Sequence, residues 1–150
     1  MSTADPPIRD GTGRASVRIP EALDVDQAFD ATGLHALRST VAAHASSLDV
    51  AAWQVETLVI LASELATNAI RHGGGGGRLR MWHDEDAIFC QVYDEGPGIV
   101  DQSVGFTLPR FDQAHGRGLW ICRAIARELV VERGAHGRGA VVTAVFRRDA

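Results

Sequence analysis

Three places in the chain hold residue types that could do chemistry at a useful spacing. In the stretch Leu58–Gly73, LVILASELATNAIRHG, a carboxylate, Glu64, and a carboxamide, Asn68, stand four residues apart. On a helix they project from one face a single turn from each other, and so offer an acid and an amide to something other than solvent. Further on, Asp94-Glu95-Gly96-Pro97-Gly98 follows a strand-like run. There the carboxylate is fixed by the end of a strand, while glycines spaced by one residue let the backbone approach a flat ligand closely. Gly116-Arg117-Gly118-Leu119 then opens an amphipathic segment. Glycines leading into a helix make an anion site, because unpaired N–H groups and the positive end of the dipole point at one spot. Taken alone, each feature fits a solvated helix face, an ordinary turn or a chance Gly-x-Gly better than a site.

The elements that must position these residues follow from periodicity. Leu58, Leu61, Leu65 and Ala69 form an apolar stripe at spacings of three and four, so the Glu64–Asn68 helix packs on one flank. It is expected to start after Asp49 as N-cap, run through Trp53 and Val55 to His72, and stop at the glycines Gly73–Gly77, read as a C-cap and loop. An earlier amphipathic helix is expected from about Ala31 to Ser47, on Leu34, Leu37, Val41 and Ala45. Arg78–His83 and Ala87–Tyr93 read as strands joined by the acidic Asp84-Glu85-Asp86, and Ala15–Pro20 as a short edge strand. Val100–His115 lacks periodicity and reads as a lid-like loop before a third helix through Trp120, Ile121, Ala124 and Leu129. Strands at Leu129–Glu132 and Ala140–Arg147 complete the chain, and residues 1–14 read as a flexible leader.

Composition narrows the chemistry. A chain of 150 residues that is 45% hydrophobic suits one domain with a real core, over residues 15–150. The net charge of −4 and the lack of a basic stripe argue against binding to nucleic acid or a membrane surface. All 15 basic residues are arginine, which excludes mechanisms built on a phosphate-gripping or Schiff-base lysine. Cys90 and Cys122 lie in apolar segments without metal or redox spacing and read as reduced packing residues. With no signal-like or spanning apolar segment, the expected location is the cytoplasm.

In that order, the three motifs resemble those of the GHKL ATPase family, to which gyrase, mismatch-repair ATPases and histidine kinases belong. Glu64 and Asn68 in SELATNAIRH resemble its N box, Asp94-Glu95-Gly96-Pro97-Gly98 its first glycine box, and Gly116-Arg117-Gly118-Leu119 its second. The resemblance runs from about Ala15 to the carboxyl end. Within the family, the wording TNAIRH and GRGL, the missing lysine and the length look most like the bacterial anti-sigma-factor serine/threonine kinases of partner-switching systems. The leader is shorter than the helical dimerisation segment that precedes a histidine-kinase catalytic domain.

The resemblance implies an α/β two-layer sandwich, with a mixed, mostly antiparallel sheet covered on one face by three helices. It implies ATP and Mg2+ as ligands. Asn68 would hold the metal through its side-chain oxygen; Asp94 would accept from the adenine amino group, with Gly98 keeping that pocket narrow and Gly96 also among the ATP-binding residues. Gly116, Arg117, Gly118 and Leu119 would line the phosphates, and Glu64 would be the general base. Arg71 and His72 serve a helix C-terminus as well as they would serve catalysis. Where the family often has Gly-Thr at its last strand, this chain has Gly139-Ala140, with Thr143 out of register. The implied partners are a sigma factor and an anti-sigma-factor antagonist, with the kinase a homodimer. A non-catalytic nucleotide-binding module that sequesters its partner, or a detached signalling ATPase domain, stays open beside that reading.

Overall fold

The computed structural model describes residues 8–9, 15–72, 74–94, 126–133 and 139–148. In chain order these form β1 (Ile8–Arg9), β2 (Ala15–Ser16), β3 (Val25–Asp30) and a 3-10 turn (Ala31–Gly33). Then come α1 (Leu34–Ser46), α2 (Ala52–His72), β4 (Gly76–His83), β5 (Ala87–Tyr93), β6 (Glu128–Arg133) and β7 (Ala140–Arg147). Strands β3 to β7 make one five-stranded sheet in the order β3-β4-β5-β7-β6. Each of its pairings is antiparallel, so the two-layer sandwich expected from the sequence is present, with no parallel pair among the described residues. The short strands β1 and β2 pair separately.

Helix α2 forms because its apolar residues recur on one side. Leu58, Leu61, Ala62, Leu65, Ala66 and Ala69 are all buried against α1 and the sheet. Opposite them, alternate residues of the strands point inward: Leu79 and Met81 of β4, Ile88, Cys90 and Val92 of β5, and Val142, Ala144 and Phe146 of β7. Each large aliphatic side chain removed from water in this layer contributes roughly 1.5–3 kcal/mol. Leu37, Val41 and Ala45 bring α1 into the same core. The other face of the sheet is apolar too: Trp82 and Phe89 stack with ring centres 5.3 Å apart beside Val145, and Val17 and Leu23 pack over them.

Several local expectations are revised. Asp49 does not cap α2; it sits at φ 62° before the helix starts at Ala52, a conformation that Asp tolerates better than most residues. The cap is Gln54, fully buried, whose Oε1 accepts from the Ala51 amide at 3.1 Å. This is the back-bonding half of a capping box. Its Nε2 donates to the Arg147 carbonyl at 3.2 Å and ties the start of α2 to the end of β7.

The glycine run is not all loop. Gly74 and Gly75 take φ of +89° and +99° in the turn, whereas Gly76 and Gly77 begin β4. A Cβ there would collide with the Phe29 carbonyl at one position and the Tyr93 carbonyl at the other. The strand expected over Ala15–Pro20 is limited to Ala15–Ser16, and β3 was not foreseen. The expected third helix lies outside the described residues as far as Ile125, and Leu129, placed at its end, belongs to β6. The expected lid, Val100–His115, lies outside them as well. Among the described residues no helix is long and apolar enough to cross a membrane.

Candidate functional site

Asp94 is the first residue after β5, and its placement follows from strand alternation. Ile88, Cys90 and Val92 face the helices, so Asp94, two residues beyond Val92, comes up on that same side. It is buried, with 9% of its surface exposed. Its amide donates to the Ala140 carbonyl at 3.1 Å, extending the β5–β7 ladder by one bond. Beside it Gly77 brings the β4 backbone against the Tyr93 carbonyl, and the Arg80 guanidinium lies 4.5 Å from the Tyr93 ring centre.

Glu64 and Asn68 are half-buried on α2. Ser63 accepts from Arg38 of α1 at 2.9 Å, which marks the flank of α2 that faces α1. At about 100° per residue, Glu64 and Asn68 fall on the other flank of the buried stripe. The two ends of the helix fix where along the sheet that flank lies. Gln54 is pinned to Arg147 at the far end of β7, and the turn after His72 delivers Gly76 and Gly77 beside Phe29 and Tyr93. From Gln54 to Asn68 the helix advances roughly 21 Å at 1.5 Å per residue, and β7 covers about 23 Å from Arg147 back to Ala140. Asn68 therefore lies at the Asp94 end of the sheet, with Glu64 one turn behind it.

The structure brings Glu64 and Asn68 of the helix layer and Asp94 of the sheet to the same end of the molecule. Gly96, Gly98, Gly116, Arg117, Gly118 and Leu119 lie outside the described residues, as does the His72 side chain. Thr143 does not serve this end: it pairs with Gln91, whose Nε2 donates to the Thr143 hydroxyl at 3.0 Å. Both are buried on the sheet face away from the helices. Position 140 is the one that shares a side and a hydrogen bond with Asp94, and it holds alanine. Sequence reasoning missed Gly77 and Gln54, which set the positions of β5's end and of α2. The signal for Gly77 was its place inside the glycine run; for Gln54 it was a glutamine three residues after Ala51, the residue just before the helix starts.

Comparison with known proteins bears on the family and the fold. No curated relative matches the sequence. Among solved structures, a mycobacterial sensor histidine kinase, MprB, superposes with a TM-score of 0.52 at 20% identity, covering 83% of this chain and 98% of that one. The Acinetobacter baumannii histidine kinase AdeS gives a TM-score of 0.47 at 17% identity, covering 84% of this chain and 68% of that one. The first of these shows a shared fold. The family model described as "Histidine kinase-like ATPase domain" matches residues 28–146, from within β3 to within β7, and this chain belongs to that GHKL-type ATPase family.

Proposed function

We propose that the protein is an ATP-dependent serine/threonine kinase that acts as a cytoplasmic anti-sigma factor, phosphorylating an anti-sigma-factor antagonist in a bacterial partner-switching system. The observation that carries this reading is the placement of a half-buried acid and amide, Glu64 and Asn68, at the same end of the sheet as the buried Asp94. The donor set fits a nucleotide with a hard divalent cation. A carboxamide oxygen suits Mg2+ alongside phosphate oxygens and waters, and a buried carboxylate at a strand end suits an adenine amino group. In this assignment Asp94 orients the base and Asn68 holds the metal. Glu64, one turn from Asn68, takes the proton from the attacking serine or threonine hydroxyl as that oxygen bonds to the γ-phosphorus and ADP departs. Gly96, Gly98, Gly116, Arg117, Gly118 and Leu119 carry the roles their motifs imply, around the adenine and the phosphates. Partner choice rests on the resemblance of TNAIRH and GRGL to the anti-sigma kinases.

The test is incubation with labelled ATP, Mg2+ and candidate antagonist proteins encoded nearby. Transfer to one antagonist is expected, falling roughly 10²-fold or more in Glu64→Gln with ATP affinity little changed. A wild-type chain that binds ATP and a sigma factor yet phosphorylates no antagonist, with Glu64→Gln leaving partner binding unaltered, would replace the kinase by a sequestering module.

A further inference from the structure

At the opposite end of the sheet from Asp94, three side chains from distant parts of the chain meet. Asp24 precedes β3, its amide donating to the Met81 carbonyl at 2.9 Å. His44 stands in the last turn of α1 and His83 ends β4. Asp24 Oδ2 lies 2.5 Å from His83 Nδ1 and 3.2 Å from His44 Nε2. The imidazole centres are 6.1 Å apart and tilted at 51°, and the three ligand atoms all lie within 4.8 Å of one another. His44 Nε2 is shielded from water and makes no hydrogen bond, despite its distance from the carboxylate.

We propose that Asp24, His44 and His83 form a zinc-binding site. Two imidazole nitrogens and one carboxylate oxygen are ligands of the type that Zn2+ takes, with bonds of about 2.0–2.2 Å. In a tetrahedral set such bonds put neighbouring ligand atoms roughly 3.3 Å apart, close to the 3.2 Å between His44 and Asp24, while His83, 2.5 Å from Asp24, would draw back by roughly 0.8 Å to admit the ion. A plain cluster accounts for His83 and Asp24 but leaves His44 Nε2 with only a charge contact to the carboxylate and no hydrogen bond, whereas polar atoms this well shielded nearly always have one. A metal gives that lone pair its partner. Three protein ligands leave a fourth position for water or an incoming donor. The site would clamp the end of α1 and the start of β3 onto β4. It lies far from the nucleotide end: His83 is five residues along β4 from Arg78, the partner of Tyr93, or about 17 Å. The inference is independent of the kinase reading.

The experiment uses the full chain without an affinity tag, stripped with a chelator and titrated with Zn2+ against a chromophoric competitor, with Mg2+ as control. One zinc per chain is expected, with a Kd in the micromolar range or tighter, and a melting temperature raised by roughly 5–10 °C at a hundredfold excess over Kd. Asp24→Asn and His83→Gln should each weaken binding tenfold or more, whereas His35→Gln, outside the cluster, should not. No stoichiometric zinc, or equal affinity in all variants, overturns the proposal. If a variant fails to fold, zinc-edge absorption of the loaded wild-type chain decides: two imidazole ligands support the site, and a spectrum without imidazole scattering overturns it.

Discussion

The Asp94 amide donates to the Ala140 carbonyl at 3.1 Å, so the acid's backbone is held by the strand ladder independently of its side chain. Asp94→Asn can therefore alter the carboxylate without loosening β5 from β7. In the proposed adenine contact the new amide would set a donor against a donor, at a cost on the order of 1–3 kcal/mol. ATP and ADP affinity should fall several-fold or more by calorimetry, with the circular dichroism spectrum intact. Unchanged affinity would remove Asp94 from the site.

Asn68→Ala should act differently. Its proposed role is to the metal, so the variant should lose the gain in ATP affinity that Mg2+ confers, and with it productive transfer. Titrations with and without Mg2+ separate the two: Asp94→Asn should weaken both, Asn68→Ala only the first. An Mg2+ dependence equal to wild type would clear Asn68 of that role.

Thr143→Val tests which face of the sheet matters for the nucleotide. The substitution keeps the volume but leaves the Gln91 amide, whose Oε1 already has no partner, without its acceptor in a buried place. Stability should fall by about 1–3 kcal/mol, read as a lower melting temperature. Nucleotide affinity in the folded protein should not move, because the hydroxyl faces away from the helices. A large loss of affinity would contradict the face assigned to Thr143.

Burial pushes the Cys90 thiol from 9.0 up to about 12. The folded state thus favours the neutral thiol while the unfolded chain begins to ionise near its ordinary value. The resulting stability is fully present below pH 9 and is lost as the pH climbs from there towards 12. In a Cys122→Ser background, denaturation midpoints should decline over that range, and less so in Cys90→Ala. Cys90 should also resist thiol reagents at neutral pH in the native state. Rapid labelling without unfolding would show that it is not sealed in the core.

How much of this was legible in the sequence depended on whether a residue's neighbours were local. The α2 stripe was readable because Leu58, Leu61 and Leu65 answer to one helix and one core. Strand β3 was not, because DVDQAFD carries three aspartates that disfavour strands. Its inward residues, Val25, Gln27 and Phe29, become a pattern only when paired with Met81, Leu79 and Gly77. The Asp49 cap was inferred from residue type, whereas the helix start depended on Gln54 reaching a carbonyl ninety-three residues away. Of the candidate site, the motifs that single out Glu64, Asn68 and Asp94 were visible in the sequence, since each is a short local pattern. The grouping of Asp24, His44 and His83 was not, because it exists only after the sheet and α1 assemble.

The five glycines at 73–77 have a consequence for how the chain tolerates an added residue. A one-residue slip in a strand would exchange its two faces. Here β4 is anchored downstream, by Leu79 and Met81 in the core, and the positions against Phe29 and Tyr93 accept only a residue without a side chain. Because every candidate for those two positions is the same residue, an added glycine passes into the turn, where nothing lies within 4 Å of a Cβ built on Gly74 or Gly75. The tract lets its length drift while the register of the strand behind it stays put.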